Sequence, residues 1–129
     1  MLNRSALPAF ALWTGRVLSA LPVLMMLLSA SFKLRPTPEI VQAFTGKGGY
    51  PESTLTPLGI VEVTCAVLYA IPVTSVLGAV LSTGYLGGAI ATHVRGGEAF
   101  IIPLVLGVFL WAGLFLRDPR IRALLPLRR

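Results

Sequence analysis

Six side chains in this sequence could do proton or ligand chemistry, and they are scattered along the chain: Lys33, Glu62, Tyr85, His93, Arg95 and Glu98. Glu62 is the most informative, because it interrupts an apolar run. A carboxylate in hydrocarbon is expensive unless it faces protein, water or a partner. Two roles fit it. It could lock two helices together through an ion pair or hydrogen bond, or it could be a proton-exchanging or ligand-anchoring acid in a polar pocket. Poor solvation favours its protonated form, whereas a nearby Lys33, His93 or Arg95 favours the carboxylate. His93 is the only histidine, and histidine is the side chain best suited to exchange protons near neutral pH. Tyr85 precedes it by eight positions, so the two project from broadly similar faces of a helix. The Tyr85 hydroxyl could hydrogen-bond a quinone-like or other carbonyl ligand, or satisfy a neighbouring helix.

Several chemistries are excluded by what these residues lack. Glu62, His93 and Glu98 could supply three metal ligands, but no His–Glu spacing motif supports them, and no metal site is assigned. One histidine cannot provide two axial imidazoles for a haem. Cys65 is the single cysteine, which rules out an intrachain disulfide and a paired-cysteine redox motif. No nucleophile elbow, phosphate loop or dinucleotide fingerprint is present. The glycines at 46, 48 and 49 have no flanking strand and helix to make a phosphate cradle. No catalytic residue or cofactor is therefore assigned.

The elements that must position these groups are apolar helices. The chain of 129 residues is 55% hydrophobic and 12% charged, against about 25% charged in a water-soluble domain. A chain this short has too little interior to hide that much apolar sequence. The composition predicts an all-α polytopic membrane protein, a four-transmembrane-helix bundle forming one domain over residues 1–129. Its helices are placed at about 13–33, 57–72, 76–94 and 99–116. The apolar stretch 58–94 is too long for one crossing, and Pro72 divides it into an antiparallel hairpin. Pro22 is expected to kink the first helix. A signal-peptide reading of the first apolar run is less economical than a retained helix, since Arg16 interrupts it.

A connecting segment follows the first span. Thr37 can cap a helix, with Pro38 at its first position and Glu39 in its first turn. Ile40, Val41 and Phe44 then share a face, so 37–45 is expected to form a short amphipathic helix. It serves either as an ordered linker or as a lid over a site between the helices.

Charge sets the expected orientation. Arg4, Arg16, Arg117, Arg120, Arg122, Arg128 and Arg129 fall on one side, and Lys33, Arg35, Lys47 and Arg95 on the other. This bias places both termini in the cytoplasm of a bacterial inner membrane. The net charge of +6 thus marks helix ends rather than a nucleic-acid surface. Trp13, Tyr69 and Trp111 lie toward the cytoplasmic ends, as in an aromatic belt. Lys33, Glu62, His93, Arg95 and Glu98 fall at or near the opposite face, with Tyr85 near mid-membrane. Gly84 and Gly88 form a small-x-x-x-small pair, expected to let another helix pack closely, although the same glycines could open room for a ligand.

The stretches Gly49–Tyr50–Pro51–Glu52, Leu58–Gly59–Ile60–Val61–Glu62, Gly84–Tyr85–Leu86–Gly87–Gly88–Ala89 and Ala91–Thr92–His93–Val94–Arg95, with the ending Leu116–Arg117–Asp118–Pro119–Arg120, resemble the DoxX-like family of small bacterial membrane proteins. The resemblance runs from about residue 17 to the C-terminus. It implies a four-helix integral membrane protein, and it matches Glu62, Tyr85, His93 and Arg95 to the family's polar signature. The broader group is named for a subunit of a thiosulfate:quinone oxidoreductase, and other relatives look like accessory or assembly factors.

The expected function is a non-enzymatic membrane accessory or assembly protein. Its expected partners are the lipid bilayer and either a membrane protein, a second copy of this chain included, or a lipophilic small molecule. Nucleic acid is not among them. The alternative is a quinone-linked oxidoreductase subunit, or a small lipophile-converting enzyme, using Glu62 and His93 for proton transfer. A transporter fits less well, because no inverted repeat is evident.

Overall fold

The computed structural model describes residues 8–126. Arg4, Arg128 and Arg129, which entered the charge count, lie outside the described residues. Among those described, every regular element is helical. In chain order they are α1 (Ala9–Leu34), α2 (Pro38–Thr45), α3 (Leu55–Ala70), α4 (Ser75–Arg95), α5 (Ile101–Arg117) and α6 (Pro119–Leu124). Single 3₁₀ turns at Glu52–Thr54 and Pro72–Thr74 lead into α3 and α4.

Three of these segments are long and apolar enough to cross a membrane: Ala9–Leu34, Glu52–Ala70 and Pro72–Arg95. α5 is a shorter apolar helix of 17 residues. The four helices close a ring in which α1 packs on α3, α3 on α4, α4 on α5 and α5 back on α1. The ring surrounds a core of Met26, Cys65, Ala66, Tyr69, Leu110 and Leu114, among others. Large apolar side chains also cover its outside, with Leu24, Val67, Val80 and Val108 all exposed on successive helices. An apolar exterior around an already apolar core is what a lipid solvent permits and water does not.

Local sequence explains the joints. The α3–α4 hairpin turns without any charged residue because hydroxyls take up the last carbonyls of α3. Ser75 Oγ donates to Tyr69 O at 2.8 Å and Ile71 O at 3.0 Å, and Thr74 Oγ1 donates to Leu68 O at 2.7 Å. These are the orphan acceptors that a helix end otherwise leaves in apolar surroundings. Pro22 sits within α1, fully buried, and the helix runs through it. α2 begins with the Ile40 amide donating to Thr37 Oγ1 at 3.4 Å. The exposed Glu39 carboxyl is held below its ordinary range by a backbone hydrogen bond at this helix start and by the Thr37 hydroxyl.

Two sequence expectations are corrected here. Gly84 and Gly88 do not mediate close helix packing: a Cβ built on either, or on Gly87, meets nothing within 4 Å. The tightest approaches between helices lie at the other end of the bundle, although Gly59 at this end also stands close against Leu34. A Cβ on Gly15 would stand 2.9 Å from the Gly113 carbonyl oxygen, and one on Gly78 would collide with the Tyr69 backbone. Spacing alone shows that a helix face is small; it cannot show what stands opposite. Tyr69, likewise, is not a belt residue. It is 1% exposed, and its hydroxyl donates to Leu110 O at 2.6 Å, with Ser19 Oγ at 2.9 Å.

Candidate functional site

The C-terminal end of α1, the start of α3, the C-terminal half of α4 and the start of α5 meet at one end of the ring. There Glu62, one helical turn and more inside α3, is almost fully buried, with 4% of its side chain exposed. Two donors from different helices converge on one of its oxygens. Lys33 Nζ, from α1, lies 2.9 Å from Oε2, and the Tyr85 hydroxyl, from α4, donates to the same atom at 3.1 Å. Lys33 also donates to Ser29 Oγ at 2.8 Å, and its ammonium lies 6.0 Å from the centre of the Tyr85 ring. Three helices are thus tied at a single carboxylate. Burying such a pair is costly for each ion alone, and the extra hydrogen bonds from Ser29 and Tyr85 offset the desolvation.

A cavity of about 510 Å³ opens beside this triad. Its inner part is lined by Ser29 and Lys33 of α1, Leu58 of α3, and Gly84, Tyr85 and Gly88 of α4. The glycines leave space where a side chain would otherwise stand. α2 contributes Ile40, Ala43 and Phe44 to the outer part, so the apolar face of this helix is turned toward the cavity. None of the residues of α2 is buried. Phe44 stacks on Tyr50 with ring centres 5.0 Å apart, and Tyr50 in turn shares a hydrogen bond of 2.8 Å with Thr92 of α4. Thr92 donates its own proton to the Gly88 carbonyl, which leaves Tyr50 as the donor in that pair.

The six candidates divide into three groups. Lys33, Glu62 and Tyr85 are in direct contact. His93 lines the same cavity two turns beyond Tyr85, and its Nδ1 donates to the Ala89 carbonyl at 2.7 Å. That leaves Nε2 as the acceptor of the neutral ring. Glu98 stands at the mouth, 3.6 Å from Lys47 across the opening, both well exposed. Arg95 is not part of the cavity wall. Two residues past His93, it faces about 200° away on the helix. Its guanidinium instead donates to the Gly48 carbonyl at 2.9 Å and lies 5.4 Å from the centre of the Tyr50 ring. It pins the loop after α2 to the end of α4. Among the described residues, Glu62, His93 and Glu98 do not group as metal ligands.

Tyr50, Thr92 and Ser29 belong to this site and were not among the candidates, and Phe44 was read only as part of the apolar face of the connecting helix. Tyr50 could have been found, since an aromatic next to Pro51 just before a span is well placed to fold back over a helix end. Nothing in the sequence marks Ser29 or Thr92.

The opposite end of the ring has its own polar set, and it is closed. Arg117 Nε donates to Ser19 Oγ at 3.0 Å and lies 5.3 Å from the centre of the Tyr69 ring. With Tyr69 bonded to Ser19 and Leu110, and Gly15, Gly78 and Gly113 at backbone contact, this set is packed without a gap, and the open apolar groove of about 690 Å³ between α4 and α5 passes outside it, reaching this end at Phe115 and Pro126.

No curated protein and no solved structure matches this chain. The model of the DoxX-like family matches residues 17–113. The chain belongs to the DoxX-like family and is a multi-pass membrane protein.

Proposed function

We propose that this member of the DoxX-like family is a non-enzymatic accessory protein of the bacterial inner membrane that holds a lipophilic small molecule in the cavity between α1, α3 and α4. One observation carries this reading. The cavity, about 510 Å³, has glycines on one wall and the hydrogen-bonded Lys33–Glu62–Tyr85 cluster, with Glu62 buried, at its inner end. Small-molecule sites span roughly 300–1,000 Å³ and combine apolar walls with a few placed polar groups. Space kept open by glycine beside an expensive buried ion pair has no purpose in a helix bundle that only needs to pack.

In this reading the protein crosses the bilayer four times. α5, at about 25 Å for its length, is short against a hydrocarbon core of about 30 Å. It nonetheless lies along both α1 and α4. Both termini are cytoplasmic, so the cavity opens toward the non-cytoplasmic face, with α2 lying at that surface.

Untargeted mass spectrometry of small molecules that copurify with the protein tests the proposal. A defined species should be enriched with the wild type and depleted with Gly88→Leu, whose added side chain would enter the cavity. Identical profiles from both proteins, matching bulk membrane lipid, would refute it.

A further inference from the structure

Lys33 has three N–H donors. Two are engaged, by Glu62 Oε2 at 2.9 Å and Ser29 Oγ at 2.8 Å. Its side chain remains 18% exposed and lines the cavity, so the third donor is offered to whatever fills that space. Tyr85 has committed its proton to Glu62. The charge of the ammonium is cancelled by the carboxylate it touches, and no second ion among the described residues reaches this inner end. Lys47 and Glu98 pair at the mouth, Arg95 is held by Gly48 and Tyr50, and His93 is tied to Ala89. The inner end of the cavity therefore offers a hydrogen-bond donor with no net charge behind it.

We infer that Glu62 sets the charge selectivity of the cavity: by neutralising Lys33 it makes the site take uncharged lipophiles with a hydrogen-bond acceptor, such as an alcohol, ester or ketone, in preference to anionic amphiphiles of the same chain length. This rests on the cavity being a lipophile site. An anion accepting from the third donor of Lys33 would lie near the Glu62 carboxylate in a setting of low dielectric, where like charges are poorly screened. A neutral acceptor takes the same hydrogen bond without that repulsion. Glu62 is in these terms a specificity-determining residue that acts through Lys33.

The test uses the full-length protein in nanodiscs of zwitterionic lipid, labelled with a photoreactive analogue of hexadecanol. Unlabelled hexadecanol and hexadecanesulfonate compete for the site. In the wild type the alcohol should displace the label at a concentration about tenfold or more below that of the sulfonate. Glu62→Gln leaves the ammonium uncompensated and should reverse the order. The double variant Lys33→Gln/Glu62→Gln restores a neutral inner end and should favour the alcohol again. A sulfonate that competes as well as the alcohol in the wild type overturns the inference and leaves the lipophile site standing. So does an order unchanged by Glu62→Gln. Should that variant fail to fold, the wild-type ratio and the double variant decide alone, and the sulfonate winning in either is contrary. Labelling that misses residues 84–92, or that neither competitor displaces, overturns both the inference and the lipophile site.

Discussion

The two ends of the ring carry similar chemistry and use it differently. Each has a hydrogen-bonded tyrosine hydroxyl, buried for Tyr69 and half-buried for Tyr85, a basic side chain near its ring and glycines on the helix faces. At the α6 end, Tyr69 bonds to Ser19 and to the Leu110 backbone, and the glycines are consumed in backbone contact. At the α2 end, Tyr85 bonds to an ion pair, and Gly84 and Gly88 face open space. What separates them is the element opposite each glycine. At Gly78 it is the hairpin partner α3, held close by a turn of a few residues. At Gly84 and Gly88 it is the cavity over which α2 lies. The short turn holds α3 against α4 at Gly78, whereas at the α2 end the space lies against α4, and α1 and α3 stay packed there through Gly59 against Leu34.

The sharpest way to break this contrast is at Gly78. A methyl group there meets the Tyr69 backbone, which has no room to move. Gly78→Ala should cost about 3 kcal/mol or more, seen as a large loss of folded protein in detergent melts. Next is the ion pair. Lys33→Met strands a buried carboxylate and should cost about 3 kcal/mol, whereas Lys33→Met/Glu62→Leu should recover most of that loss. Equal losses in the single and double variants would mean that the site depends on packing and not on charge. Third is Tyr69→Phe, expected to cost about 2 kcal/mol because it leaves the Leu110 carbonyl without its side-chain donor. Chemical denaturation of the two proteins side by side measures it.

The smallest effect lies outside the spans. Hydrogen bonds from the Arg120 side chain, with a further one from the Arg120 amide, hold the Asp118 carboxyl below its ordinary range. A depressed folded-state pKa stabilises above the unfolded value of about 4 and loses that contribution as pH falls through the folded value. Melts of wild type and Asp118→Ala should differ by about 1 kcal/mol near neutrality, the worth of a helix cap. The difference should shrink as the pH drops well below 4.

The apolar runs were legible, and the helices lie over them, because lipid leaves a spanning backbone few options. Glu62 was legible for a related reason: an acid in such a run requires company. The identity of that company was only partly so. Lys33 closes a helix that ends at the same face, and Tyr85 lies on the neighbouring span, so both were within reach of counting. The engagement of Arg95 was not, since its partner is a loop carbonyl with no side-chain signature. Which reading of Gly84 and Gly88 holds, close packing or open space, was not legible, because sequence spacing carries no information about the facing helix. α6 went unread, although Asp118–Pro119 repeats the cap-and-proline signal that Thr37–Pro38 gives for α2. There the Arg120 amide donates to Asp118 Oδ1 at 2.9 Å.

Ligand-dependent melting of the wild type and Gly88→Leu tests most directly whether the open end holds a binding space. The two proteins should melt alike without ligand, since the added side chain enters space and not a neighbour. Hexadecanol should then raise the melting temperature of the wild type and not that of the variant. A variant that is strongly destabilised before any ligand is added, or an equal rise in both proteins, would contradict the account.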